Sequence, residues 1–141
     1  MKNIEKLDWL MSFSIGNKKI DLEHQQLLNI YNDLVLLINK NGNREEFASI
    51  LSKMTDYSMS HYKNEEEYML KFNYPGYKKH REEHKEFVYK VAIYNTELLT
   101  INPPNPIDII EYIKNWFNNH ILKEDLKYEQ YKKDKGLNIE Y

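Results

Sequence analysis

The chain has no cysteine in its 141 residues, which removes disulfide frameworks, thiolate zinc sites, cysteine-ligated iron–sulfur clusters and thiol nucleophiles together. Any metal it holds must be held by imidazole and carboxylate. An apolar run approaching the ~20 residues that cross a bilayer is also missing. Met1 to Lys6 lack the apolar stretch of a secretory signal, so a cytoplasmic location is expected. Neither sign of charge dominates: 20 basic side chains stand against 22 acidic ones, with no basic block to serve as an electrostatic footprint for nucleic acid. The length suits a single domain over residues 1–141, with no room for a separate signalling output domain.

Glycine and proline are scarce, four of each, and they fall between long segments rather than inside them. Those segments carry apolar residues at steps of three and four, the period of an amphipathic helix, and no sustained alternation that would indicate strands. Four helices are expected, at about 19–40, 44–72, 77–99 and 106–132. Asn41-Gly42-Asn43 stops the first, and Asn43 caps the second with Glu46 three residues on. Asn73-Tyr74-Pro75-Gly76 ends the second, and Asn105-Pro106 starts the fourth with proline at a position that needs no N–H donor. Long helices joined by short loops favour antiparallel neighbours, so the expected fold is all-α, an up-down-up-down four-helix bundle. Residues 1–18, with Trp9, Leu10 and Phe13, form an arm expected to fold over it. The lysine-rich end after Tyr131 is expected to fray.

The chain has five histidines, and His24, His61, His80, His84 and His120 all fall on the apolar stripe of their helices. One inward histidine is ordinary core chemistry, bonded to a neighbouring carbonyl or hydroxyl. Burying five without a common partner would cost about 1–3 kcal/mol at each unsatisfied group. A shared metal removes that cost. His61 and Glu65 are four apart, as are His80 and His84, which places each pair on one helix face. Glu65 lies on the inner stripe, where a carboxylate is rare unless paired or coordinating. Asp125 lies five residues after His120, so on a regular helix the two diverge. It belongs either to the solvated Lys123-Glu124-Asp125 run or, where a π-type turn widens the helix near 121–125, to the same centre. Imidazole and carboxylate without sulfur suit iron, manganese or zinc, and redox use favours iron.

His24 within Ile20-Asp21-Leu22-Glu23-His24, His61-x-x-x-Glu65, His80-x-x-x-His84 and His120-x-x-x-x-Asp125 together closely resemble the hemerythrins, in particular the single-domain bacterial ones. The resemblance runs from the Trp9 arm to Tyr131. It implies two non-haem iron ions, oxo- or hydroxo-bridged, with His80, His84 and His120 on one, His24 and His61 on the other, and Glu65 and Asp125 bridging. It implies reversible O2 binding at the two-histidine iron, hence oxygen transport, storage or delivery rather than enzymatic turnover, with a separate protein as a conceivable acceptor of the O2. The chain has no Glu-x-x-His, the carboxylate-rich motif of di-iron oxidases, and neutral imidazoles disfavour the high-valent iron those enzymes use. Tyr62, Trp116, Phe117 and Ile121 match positions that line the family's oxygen pocket, and they read equally well as bundle core. Phe117 stands where leucine is common and would narrow entry. The Tyr62 hydroxyl, where phenylalanine is familiar, is expected to bond the bound ligand or a carboxylate.

His80-Arg81-Glu82-Glu83-His84 also fits H-x-x-E-H, an inverted zinc-protease pattern, which the other inward histidines make a chance match. Other uses of the same centre are O2 or redox sensing through a separate partner, iron storage, and detoxification of peroxide or nitric oxide.

Overall fold

A computed structural model describes residues 3–141; the first two residues of the arm lie outside this range. After a short 3-10 turn at Met11–Phe13 come α1 (Lys18–Asn39), α2 (Arg44–Lys71), α3 (Tyr77–Glu97) and α4 (Pro106–Trp116), then a π-helical stretch, Phe117–Asp125, which runs directly into α5 (Leu126–Asp134). The last three pieces form one continuous fourth helix. There are no strands among the described residues, and the fold is a four-helix bundle. Helix α1 packs on α2, α2 on α3, α3 on α4, and α4 closes the ring on α1.

Asparagine sets most of the helix ends. The side chains of Asn17, Asn43 and Asn105 accept from the backbone N–H of Ile20, Glu46 and Ile107 at 3.3, 2.8 and 3.0 Å, each satisfying a donor that the first turn leaves unpaired. At the other ends, Asn41 (φ 57°) and Asn73 (φ 53°) adopt the left-handed conformation. Gly42 N–H then returns to the Leu37 carbonyl at 2.8 Å, and Tyr74 N–H to that of Met69 at 3.1 Å, the Schellman closure.

Two apolar clusters fill the interior. The larger includes Leu34, Leu51, Met54, Phe87, Val91 and Ile113; the smaller is built on Ile20, Tyr68, Met69, Phe72 and Tyr128. All five histidines, Glu65 and Asp125 are buried. Along α2 and the fourth helix the polar residues fall between members of the two clusters.

The arm is fastened to α1 by paired amide bonds. Asn39 Oδ1 accepts from Ile4 N–H at 2.9 Å while its Nδ2 donates to the Ile4 carbonyl at 2.8 Å. Asn32 does the same with Leu7, at 2.9 and 2.8 Å. Ile4, Leu7 and Trp9 pack against the larger cluster. At the other end of the chain the structure departs from the expected fraying. Helix α5 continues to Asp134, Gly136 (φ 65°) turns the chain, and residues 137–141 return along the bundle. Lys132 holds this segment: its Nζ donates to the Ile139 carbonyl at 3.0 Å and pairs with buried Glu129 at 2.9 Å.

Candidate metal centre

Each bundle helix brings its polar residues to one level. Helix α1 supplies His24, α2 supplies His61 and Glu65 one turn apart, α3 supplies His80 and His84 one turn apart, and the fourth helix supplies His120 and Asp125. The π-helical stretch makes the last pair possible, since its hydrogen bonds close over five residues instead of four. It spans Phe117–Asp125, beginning earlier than the turn that spacing alone requires. His120 Nε2 and Asp125 Oδ1 are consequently 3.0 Å apart.

The carboxylates face two histidine groups. His24 Nε2 lies 3.3 Å from Glu65 Oε1 and 3.0 Å from Asp125 Oδ2, and His61 Nε2 also meets Glu65 Oε1. On the other side, His80 Nε2 is 2.9 Å from Asp125 Oδ1 and 3.5 Å from Glu65 Oε2, and His84 Nε2 is 3.4 Å from Glu65 Oε2. Glu65 and Asp125 thus turn one oxygen to each group. Two sets of candidate donor atoms result, each within 4.8 Å: Glu65, His80, His84, His120 and Asp125, and His24, His61, Glu65 and Asp125.

These contacts are close without being a completed hydrogen-bond network. His61 Nε2, His80 Nε2, Glu65 Oε2 and both Asp125 oxygens are buried and have no hydrogen-bond partner, although buried polar atoms are nearly always paired. His84 Nε2 and His120 Nε2 face each other at 3.0 Å. Lone pairs converging from imidazole and carboxylate suit two cations of the iron, manganese or zinc kind.

Outside the centre, a partial ring of glutamates faces the distal nitrogens of three of the five histidines. Glu23 on α1 accepts from His61 Nδ1–H on α2 at 2.7 Å. Glu66 on α2 accepts from His84 Nδ1–H on α3 at 2.9 Å. Glu83 on α3 lies 3.5 Å from His120 Nδ1 on the fourth helix. Glu23 and Glu66 each hydrogen-bond the histidine of the next helix, fixing the tautomer that leaves Nε2 directed inward, while Glu83 stands beside His120 Nδ1 without a completed hydrogen bond. Sequence reasoning missed all three, because each sits beside a core residue in sequence and finds its partner only across a helix pair. Glu83, engaged with His120, is not placed as the base of an H-x-x-E-H hydrolase.

Burial is the strongest influence on His61 and His80 and opposes their charging. Glu65 and Glu23 around His61, and Asp125 and Glu65 around His80, outweigh it and raise both to about 10. Burial likewise pushes Glu65 and Asp125 upward, yet the surrounding imidazoles hold both carboxyls below their ordinary range. In metal-free protein the histidine contribution to stability is therefore complete below the ordinary imidazole value of 6.5 and is lost as pH rises to about 10. The carboxylate contribution is present above the ordinary carboxylate range and disappears only as pH falls through the lowered values. The melting temperature of chelator-treated protein is expected to drop between pH 6.5 and 10; a flat circular-dichroism melting profile across that window would contradict this.

The four expected lining residues divide between two places. Tyr62 stacks on His84, centroids 3.9 Å apart and planes at 8°, and Trp116 stacks on His120 at 4.4 Å and 10°. The Tyr62 hydroxyl accepts from Trp116 Nε1–H at 2.9 Å. The expected bond to a carboxylate is not formed: the hydroxyl's partner is the indole, which ties the two aromatic covers together. Phe117 and Ile121 lie instead on the seam between α1 and the fourth helix, the one seam without a glutamate tie. There, with His24 and Leu28, they line a cavity of about 20 Å³ roofed by Trp9 and Phe13 of the arm, room for about one water-sized molecule.

Residues 16–131 match the family described as the hemerythrin HHE cation binding domain. A hemerythrin-like protein of Naegleria gruberi is 31% identical over 122 residues, covering 86% of this chain and 90% of that protein. A bacteriohemerythrin of Clostridium acetobutylicum is 27% identical, covering 85% and 96%. A wild-type hemerythrin crystal structure superposes with a TM-score of 0.79 at 26% identity, covering 88% of this chain and 95% of that one.

Proposed function

The chain belongs to the hemerythrin family, and from that membership we propose that it binds O2 reversibly at a non-haem di-iron centre, as an oxygen carrier, store or delivery protein. In this reading His80, His84 and His120 would hold one iron, His24 and His61 would hold the other, and Glu65 and Asp125 would be shared by both. The observation that carries it is the division of the two carboxylates, one oxygen of each turned toward the His80, His84 and His120 group and the other toward the His24 and His61 group. A pair of irons so held would supply the two electrons that O2 binding draws on.

The chain's own residues do the rest. Five neutral imidazoles and only two carboxylates put little negative charge on the centre, which favours reversible binding over oxidative turnover. Glu23 and Glu66 keep the His61 and His84 rings in the tautomer that presents Nε2. Tyr62 and Trp116 cover His84 and His120 and exclude water from their faces. The two-histidine side adjoins the apolar cavity beneath the arm, where a small nonpolar gas is favoured over an anion. O2 is the proposed partner, and a separate acceptor protein is compatible with that use. No helix among the described residues is long and apolar enough to cross a membrane, and a cytoplasmic place of action is part of the proposal.

Reduced, iron-loaded protein exposed to air is expected to gain a visible absorption band that bleaches when the solution is purged with inert gas, over repeated cycles. A band that never forms, or that forms once and cannot be reversed, would count against a carrier.

A further inference from the structure

Glu23 Oε1, the oxygen that accepts from His61 Nδ1–H at 2.7 Å, accepts a second hydrogen bond of the same length from the hydroxyl of Tyr141. Tyr141 belongs to the segment that turns back at Gly136. Its ring packs edge-on against Tyr68 with centroids 5.3 Å apart, and the residues before it are held by Lys132 on the Ile139 carbonyl and by Lys71 on the Glu140 carbonyl, the latter at 3.4 Å. The other two glutamates of the ring are differently placed. Glu66 has the Arg81 guanidinium 3.5 Å from its other oxygen, and Glu83 stands at 3.5 Å from its histidine. Among the described residues, only on Glu23 does a neutral hydroxyl share the oxygen that a candidate ligand uses.

A carboxylate oxygen that accepts two donors divides its charge between them, so each bond is weaker than it would be alone. A strong acceptor at Nδ1 makes an imidazole a more electron-rich ligand and favours the more oxidised metal, whereas a weakened acceptor does the reverse. We propose that Tyr141 is a positioning residue for the centre: through Glu23 it fixes the orientation of His61 and reduces that ring's electron donation, biasing the iron pair toward its reduced, O2-binding state. This rests on the di-iron reading above. The segment after α5 thus acts on the metal without touching it.

Tyr141→Phe removes the hydroxyl and keeps the ring against Tyr68, so the fold and the iron content should be unchanged. In metal-free protein, the nitrogen-bound proton of His61 Nδ1, followed by nuclear magnetic resonance, is expected to move downfield as Glu23 accepts from it alone. In iron-loaded protein the ratio of oxidised to reduced centre at a fixed applied potential is expected to rise about three- to tenfold; tenfold corresponds to ~30 mV for a two-electron couple. In a Glu23→Gln background, Tyr141→Phe should add nothing further. An unmoved His61 resonance, an unchanged potential with full iron content, or an undiminished effect of Tyr141→Phe in the Glu23→Gln background would each overturn the proposal. Failure of the di-iron reading itself would register differently, as wild-type protein that takes up no iron.

Discussion

Glu65→Ala is expected to leave the protein unable to retain iron at either position. Glu65 is the carboxylate that four of the five histidines approach: His24 and His61 through Oε1, His80 and His84 through Oε2. Its removal takes a ligand from both ions and leaves Asp125 as the one carboxylate between them. Loss of an outer hydrogen-bonding partner of a metal ligand costs about 10–100-fold in affinity, so loss of a shared ligand should exceed that range, and iron per chain after desalting should fall close to zero. His84→Ala is expected to release both ions too, because the two positions share both carboxylates. The circular-dichroism spectrum of either variant should remain helical at low temperature, which separates loss of the centre from loss of the fold. Full iron retention by Glu65→Ala would remove the basis for the bridging assignment.

Chelation is expected to have the largest effect on stability. The centre places five imidazoles and two carboxylates in the middle of the bundle, several of their atoms without a hydrogen bond, and water does not reach them. An ion present at a thousand times its dissociation constant stabilises the folded state by about 4 kcal/mol. For a chain of this size about 1 kcal/mol moves the melting temperature by roughly 3–5 °C. Removing the metal should therefore lower the melting temperature by about 10 °C or more in scanning calorimetry, and adding iron back under reducing conditions should restore it. Equal melting temperatures with and without chelator would mean that the inward histidines are satisfied by the protein alone.

The four bundle helices were legible because their ends are written locally: Asn43 and Asn105 cap, Asn41 and Asn73 close, and Pro106 occupies a position where its missing donor costs nothing. His24, His61, Glu65, His80, His84 and His120 were legible because phase on a regular helix follows from counting. Asp125 was not legible by phase and entered only through the resemblance carried by His120-x-x-x-x-Asp125, since counting assumes 3.6 residues per turn and the chain there does not keep to it. What the spacing could say was conditional, that the helix must widen if both residues share a centre. The glutamates were hidden for another reason. Glu23, Glu66 and Glu83 are neighbours in sequence of residues that point inward, and only the packing of one helix on the next shows which ring nitrogen each meets. The segment after Tyr131 misled by composition: a run of lysines reads as solvated, but Lys132 forms a partly buried pair with Glu129 and anchors the returning chain.

The arm is held at two points whose spacings agree across two different structures. Ile4 and Leu7 are three residues apart on extended chain, which advances about 10 Å at roughly 3.4 Å per residue. Asn39 and Asn32 are seven apart on a helix, also about 10 Å at 1.5 Å per residue. The irregular arm and the helix coincide over this one interval, like two rulers whose marks meet twice. The two asparagines therefore admit a single register. Sliding the arm by one residue would misalign both amide pairs at once and turn the alternate side chains outward, carrying Trp9 off the cavity beside His24. The length of the arm between its clamps, as much as the identity of its aromatic residues, decides what covers that side of the centre.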